Sequence, residues 1–529
     1  MPDDPILAAS QRTLGRVLAS TAARRGPAVA LAEGGRVFTF SELNATSNRL
    51  ANALSGLGLI RGDRVAILAE NRVDYAFVFY AAAKLGVAVS ALNWRLPAAE
   101  LGPLIAAAGP RLAFVSGRYR ELLAAAAGSP AGLPVVGFDG RQDSRDLAFG
   151  DLVAGGSDAE PGTAVDAEDI LVITYTSGTT GDPKGAALSH RGLIARALGF
   201  AADQGWQDTD TFIAWSPMFH TGGVDGMLVS GVLGGKCRVI DGMQPEQIAD
   251  TVVREQVNWL FLPPGGISQV VGALRQAGQP RGVRLVGSMA DLVPPEMIAE
   301  TTQIFGAPYF NSFGSTEGGI YPCAASFVPV GVVPVSLSKR QSAFCDVLLV
   351  DDEGQETAPG VPGEMLLRCP MLFSGYLAAG YAVENDFTGG WFHTGDVMVR
   401  NADGTLDFVE RKKYLIKSGG ENIYPAEIER LLVCHPAIVE AAVVRKPDSR
   451  WGEVPVACVA VSDSRVDEAA LRAYLDGKLA RYKIPREFAF LRTSDFHRNI
   501  TGKIVRSELE AMVSTPVKSS SPAAGEDPA

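Results

Sequence analysis

The chain has 529 residues, 47% of them hydrophobic and 20% charged, with a formal net charge of -11. That length exceeds one simple core, and the acidic balance excludes a broad basic footprint for nucleic acid. Six scattered cysteines form no CxxC pair and five histidines no HExxH spacing, which argues against a disulfide frame or a zinc site and for reduced thiols in the cytoplasm.

The opening MPDDPILAAS lacks the basic-then-apolar order of a signal peptide. Leu43, Ser47, Leu50, Leu54 and Leu57 then recur at steps of four and three, a helix for which Ser41 is the expected cap. Gly62-Asp63 turns the chain into a β-rich run over 64–68. The most apolar window, 75–92, is broken by Lys84 and Gly86, so it reads as a buried helix and strand rather than a membrane span. Another strand is expected over 112–115, and 170–175 is a β-branched apolar run, hence a buried strand. This alternation predicts an α/β fold with doubly wound parallel sheets.

From about 328 to 409 the texture changes to short strands and Gly/Pro turns, a small β-barrel-like subdomain of the large N-terminal domain. The basic cluster Arg411-Lys412-Lys413 ends it. The boundaries expected are 1–412 for the large domain, 413–512 for a small α/β domain and 513–529 for a Ser/Pro/Ala-rich disordered tail. In the small domain Pro425 sits at the first turn of a helix carrying Glu427, Leu431 and Leu432.

The strand ending at Tyr175 empties into Thr176-Ser177-Gly178-Thr179-Thr180-Gly181, four hydroxyls and two glycines, with Lys184 close behind. Glycines admit backbone N–H groups to phosphate oxygens, hydroxyls donate further bonds, and the lysine supplies charge. Pro183 before Lys184 and Gly185 after it rule out a Walker A loop. In order along the chain follow NSFGSTEGG (311–319), GWFHTGDV (390–397), ERKKYLIKSGGENIYPAEIE (410–429) and RNITGKIVR (498–506). Together these resemble the motifs of the adenylate-forming superfamily of acyl-CoA synthetases, adenylation domains and luciferases, over about residues 38 to 509.

The resemblance implies ATP, Mg²⁺ and coenzyme A as reactants and a role for each motif. The 176–181 loop with Lys184 would hold the β- and γ-phosphates, Glu317 would bind Mg²⁺ and Thr316 the α-phosphate. Phe313 would stack on adenine, Asp396 would accept from the ribose hydroxyls, and Arg411 would reach ribose or phosphate. Lys503 would bridge the substrate carboxylate and the α-phosphate. A cation about 4 Å from each anion offsets roughly 4 kcal/mol per contact at an effective dielectric near 20. The small C-terminal domain is mobile in this family. Lys413 matches its hinge position, and Gly419, Gly420 and Glu421 would enter the thiol tunnel after the first step. His220 matches the aromatic gate of that tunnel. Thr221, Gly222, Val224 and Met227 would line an apolar acyl pocket, with Asp225 expected at a helix start or facing solvent.

The sequence departs from the family at Gly287-Ser288-Met289-Ala290-Asp291, near the adenine, at Phe313 in place of a tyrosine, and at 334–339, which lacks the usual glycines. Thr221 stands where amino-acid-selecting relatives carry an aspartate, which disfavours a free amino acid. The implied activity is activation of a hydrophobic acid (a medium- or long-chain fatty acid, or a cyclic or aromatic one) to acyl-AMP, then transfer to CoA. Two rivals are a stand-alone enzyme loading a separate carrier protein and a non-catalytic binding relative. The partners are small molecules, with a homodimer left open.

Overall fold

The computed structural model describes residues 11–126, 133–176, 184–377, 383–384, 387–463, 465–498 and 504–514. Two compact units are formed, one within Met1–Val347, Leu366–His393 and Gly404–Leu406, the other within Leu348–Met365, Thr394–Asp403 and Asp407–Ala529.

The first unit holds two large mixed sheets. One has eight strands in the order Phe327–Val328, Tyr309–Phe310, Val283–Val286, Val257–Leu260, Thr211–Ala214, Lys236–Val239, Val29–Glu33 and Arg36–Thr39. Its interior pairs are parallel and both edge pairs antiparallel. The other has nine, ordered Val383–Glu384, Gly375–Leu377, Lys184–Ser189, Ile170–Thr176, Ala88–Ala91, Arg64–Leu68, Leu112–Val115, Val135–Gly137 and Leu147–Ala148. The run from Ile170–Thr176 to Leu147–Ala148 is parallel. On its other side Lys184–Ser189 returns antiparallel, so Thr176 pairs with Lys184.

The predicted elements fall where hydrophobic spacing placed them, with one correction. The helix Phe40–Gly56 is capped by Thr39, whose hydroxyl accepts from the Glu42 N–H while the Glu42 side chain accepts from the Thr39 N–H. Ser41 lies inside the first turn. The reciprocal Thr-x-x-Glu bonds satisfy two orphan donors where a lone serine satisfies one. The apolar window resolves into the helix Asp74–Leu85 and the strand Ala88–Ala91, and every residue of the helix is buried. Lys84 survives there because Glu160 and Asn44 hold its ammonium at 2.7 and 2.9 Å. No helix among the described residues is long and apolar enough to cross a membrane.

The second unit contains a sheet ordered Glu421–Ile423, Ile416–Ser418, Gly452–Val461 and Ile438–Asp448, with Glu487–Phe490 also paired to Gly452–Val461. The helix Pro425–Val433 starts on Pro425 as expected and buries Ile428 and Leu432. The β-rich stretch forms a further five-stranded sheet in the order Asp346–Val350, Gly363–Arg368, Trp391–Arg400 and Phe387–Thr388, with Leu406–Arg411 beside Trp391–Arg400. All six cysteines are free. The tail from 515 lies outside the described residues.

His190 begins the helix His190–Gln204 fully buried, and its Nδ1 accepts from the Leu14 N–H at 3.2 Å. Burial pushes its imidazole down to about 4, against the opposing pull of Asp169 and Asp166. The folded state therefore keeps His190 neutral where the unfolded chain would take up a proton. Its stability contribution is full above pH 6.5 and is lost as pH falls towards about 4. His190 should cost the fold about 2 kcal/mol between about pH 7 and about pH 5. Urea midpoints of the wild type and His190→Asn across that range test this: the variant should have the shallower pH dependence, and an identical slope would refute the assignment.

Candidate active site

In doubly wound sheets ligands bind at the carboxyl ends of strands, where neighbouring strands send their connections in opposite directions. The first unit has two such points. In the eight-stranded sheet the chain leaves Thr211–Ala214 for Lys236–Val239 on one side, and Val257–Leu260 for Val283–Val286 on the other. In the nine-stranded sheet Arg64–Leu68 leads to Ala88–Ala91 on one side and Leu112–Val115 to Val135–Gly137 on the other. Asn71, just past Arg64–Leu68, ties the two edges together. Its amide donates towards the carbonyls of Ala214, Trp215, Ser216 and Ile240 at 2.8–3.3 Å and accepts from the Met218 N–H at 2.8 Å.

Beyond the strand Tyr309–Phe310 the chain makes the tight turn that carries Thr316 and Glu317. Ser315 N–H donates to the Gly319 carbonyl at 2.9 Å, and Gly319 takes a φ of +67°, open to glycine at no steric cost. Tyr376 OH donates to Glu317 Oε1 at 2.6 Å. The Lys184 ammonium lies 5.1 Å from the centre of the same tyrosine ring. A carboxylate and an ammonium thus flank one phenol, and Lys184 pairs with Thr176, where the hydroxyl-rich sequence begins. Ser177, Gly178, Thr179, Thr180 and Gly181 lie outside the described residues. Phe313 precedes the turn, half-buried.

His220 caps the helix Thr221–Leu233 at the eight-stranded sheet's crossing point. Burial, reinforced by the charge of Arg95, pushes its imidazole down to about 4, and among the described residues Nε2 has no hydrogen-bond partner. The Thr221 hydroxyl is likewise buried without a partner among the described residues. Val224 and Met227 are buried, and Gly222 is exposed. Asp225 is neither a helix cap nor solvent-facing: it is buried one turn into the helix, its Oδ2 accepting from Arg196 Nη1 at 2.8 Å. A buried arginine on the neighbouring helix, invisible to local pattern, draws it inward.

Sequence spacing missed a chain of rings leading away from His220. Phe219 lies 4.9 Å from His220 and edge-on to Trp94 at 6.0 Å, and Trp94 stacks on Tyr119 at 5.3 Å. Over this stack sit the guanidiniums of Arg95, 4.9 Å from Trp94, and Arg118, 5.4 Å from Tyr119. The available signal was positional: Trp94-Arg95 and Arg118-Tyr119 each follow the carboxyl end of a parallel strand. At the departure over 287–291, Met289 takes a φ of +49°, and Asp291 accepts at 2.7 Å from Lys339, itself fully buried.

In the second unit Asp396 lies within the strand Trp391–Arg400 and pairs with Arg411 Nε at 2.6 Å. Buried Glu410 accepts from the Arg411 N–H and, through its other oxygen, from Ala426 N–H, both at 2.9 Å, fixing the backbone beside the pair. Lys413 follows in a single 3₁₀ turn, Lys412–Tyr414. Gly419 and Gly420, at φ +59° and +88°, form the two-residue turn between Ile416–Ser418 and Glu421–Ile423. Glu421 is exposed beside it. Lys503 lies outside the described residues.

Family models match twice: an AMP-binding enzyme over residues 18–377 and an AMP-binding enzyme C-terminal domain over 427–503. The indoleacetate–CoA ligase of Aromatoleum aromaticum is 33% identical over 90% of this chain and 94% of its own length. The o-succinylbenzoate CoA synthetase of Bacillus subtilis, solved with its acyl-adenylate intermediate, matches at a TM-score of 0.80 and 25% identity, over 94% of this chain and 98% of that one. A Mycobacterium tuberculosis fatty acyl CoA synthetase matches at 0.76 and 26% identity, over 95% and 98%. This chain is an AMP-forming acid–thiol ligase using ATP and CoA, and it belongs to the AMP-binding enzyme family.

Proposed function

We propose that the chain is a cytoplasmic enzyme that activates a hydrophobic carboxylic acid, and that the residues above divide the work. The observation that carries this reading is the Glu317–Tyr376–Lys184 cluster, whose Lys184 pairs with Thr176 at the start of the hydroxyl-rich sequence. Among the described residues no group of three or more His, Cys, Asp or Glu could cage a metal. A single carboxylate suits Mg²⁺, which keeps waters and substrate phosphates as its other ligands. When bound, Mg²⁺ neutralises charge on the phosphates. Glu317 would hold it, with Tyr376 fixing the carboxylate and Lys184 meeting the phosphates.

The remaining roles are positional. Asp396 and Arg411 take the ribose, Phe313 the adenine, and Thr316 the α-phosphate. Lys503 brings the carboxylate to the α-phosphorus, where attack releases pyrophosphate and leaves the acyl group on AMP. Val224 and Met227 supply apolar wall for the acid, consistent with relatives named for indoleacetate, succinylbenzoate and fatty acids. His220 gates the thiol, and neutral imidazole suits a path for an uncharged pantetheine arm. The functional boundary is placed after Lys412, with Lys413 as hinge and the Gly419–Glu421 turn serving the second step.

CoA rather than a carrier protein is favoured by the Trp94–Tyr119 stack with Arg95 and Arg118. Rings offer a face to adenine and guanidiniums bind phosphate, and the row of rings leads back to His220. Removing both guanidiniums should raise KM for CoA about 10-fold, the worth of one charged hydrogen bond. It should spare pantetheine, which lacks the nucleotide, and equal effects on both thiols would count against the site.

A pyrophosphate-release screen over carboxylic acids, with and without CoA, tests the reading as a whole. Release with no acid at all would overturn it. Lys503→Ala should cut acyl-AMP formation roughly 100- to 1,000-fold while largely sparing transfer from supplied acyl-AMP. Equal loss of both half-reactions would remove Lys503 from the first step. Lys413→Pro should slow the second half-reaction more than the first, and an unchanged ratio would argue against a hinge there.

A further inference from the structure

Arg196, on the helix His190–Gln204, is fully buried, and none of the sequence motifs includes it. Each guanidinium nitrogen has an acceptor. Nε donates to the Met371 carbonyl at 3.0 Å, Nη1 to Asp225 Oδ2 at 2.8 Å, and Nη2 to the carbonyls of Thr316 at 3.1 Å and Glu317 at 2.9 Å. The Glu317 carbonyl receives a second donor, the Phe373 N–H at 2.8 Å. The turn is shaped around this side chain. A methyl group at Gly319 would stand 3.2–3.3 Å from the Arg196 Nε, Cδ and Cζ atoms, tighter than ordinary contact. The helix is tied in as well, because Tyr321 OH donates to the Arg196 carbonyl at 3.3 Å.

A buried guanidinium is tolerated only when its charge is matched and its donors are used. Asp225 supplies the charge, from the helix whose first turn begins at the His220 gate. Burial raises the Asp225 carboxyl above its ordinary range, against the opposing pull of Arg196. The planar fork fixes direction as well as distance, which a lysine ammonium cannot do. Both residues of the turn assigned to phosphate and metal are therefore held by their backbone from one point, and Glu317 is held again at its side chain by Tyr376.

We propose that Arg196, anchored by Asp225, is a positioning residue for acyl-AMP formation, holding the Thr316–Glu317 turn in the geometry that meets the Mg²⁺-bound triphosphate. The proposal rests on the role given to Glu317 above. Loss of the fork frees the turn to shift out of that geometry. It should affect the step that uses the turn and not the thiol step that follows.

The test compares Arg196→Lys and Asp225→Asn with the wild type in separate half-reactions, using ATP, Mg²⁺ and an accepted acid, then supplied acyl-AMP and CoA. Arg196→Lys should lower the efficiency of acyl-AMP formation roughly 100-fold, as a misplacement near 1 Å can. It should also raise the Mg²⁺ concentration giving half-maximal rate, while thiol transfer changes less than about 3-fold. Asp225→Asn, which keeps an acceptor of the same shape, should fall between and keep the same split. Should Arg196→Lys not fold, Asp225→Asn alone must show that split. Equal losses in both half-reactions, or an unmoved Mg²⁺ requirement, would make the arginine merely structural and overturn the proposal. Glu317→Gln run in parallel separates the two failures: normal acyl-AMP formation there would sink the Glu317 assignment itself, whatever Arg196 does.

Discussion

A single amide sets the frame of the first unit. Asn71 sits past one sheet's strand and binds four carbonyls and one N–H at the carboxyl edge of the other sheet. Its two N–H hydrogens are shared among those carbonyls, so no one bond is strong. Their convergence nevertheless fixes where the segment 214–218 leaves its strand. His220 and the helix Thr221–Leu233 follow immediately from that exit. Parallel sheets leave their carboxyl edges ragged, and a residue that is both donor and acceptor on one short stem suits the join between two of them.

The chain's electrostatics follow the same economy of placement. A net charge of -11 must repel a nucleotide triphosphate at long range unless positive charge is concentrated locally. Arg95, Arg118 and Lys184 all stand at or beside the carboxyl edges described above, and each lies against an aromatic ring. Rings hold a cation in place without neutralising it, and the exposed carboxylate of Asp241 meets Arg118 at 3.3 Å, a contact that water screens. Where a cation is instead buried, as Lys84, Arg196 and Lys339 are, a carboxylate accompanies it.

Much of the fold was legible because it rests on local spacing. The strands 64–68 and 112–115, the helix begun by Pro425 and the split of the apolar window are all set by residues within a few positions of each other. The Thr39 cap escaped because two polar residues competed and the decision lay with Glu42, three positions on. The adenylate-forming resemblance was legible in the motifs, since a tight turn around a nucleotide restricts residue type at nearly every position. Arg196, Asn71 and the Arg95–Arg118 platform were not. Asn71 gains its meaning from partners more than a hundred residues away, Arg196 from three such carbonyls and from Asp225 on the next helix, and the platform from strands whose order in the sheet differs from their order in the chain. Asp225 shows the cost: its neighbours in sequence suggest a cap, and its partner in space makes it a buried counter-ion.

The turn at Gly419 and Gly420 carries a consequence for redesign. Both backbones are left-handed, and a side chain on Gly419 would strike the Trp451 ring at 2.6 Å, while Gly419 N–H donates to the Trp451 carbonyl at 2.7 Å. Its conformational entropy is therefore lost when the unit folds, not when a ligand arrives. Under the role proposed above for this turn in the thiol step, attempts to broaden the range of acceptors would gain little from loosening those glycines. The variable element is the outward-pointing carboxylate of Glu421, which can be exchanged without disturbing the rigid bend beneath it.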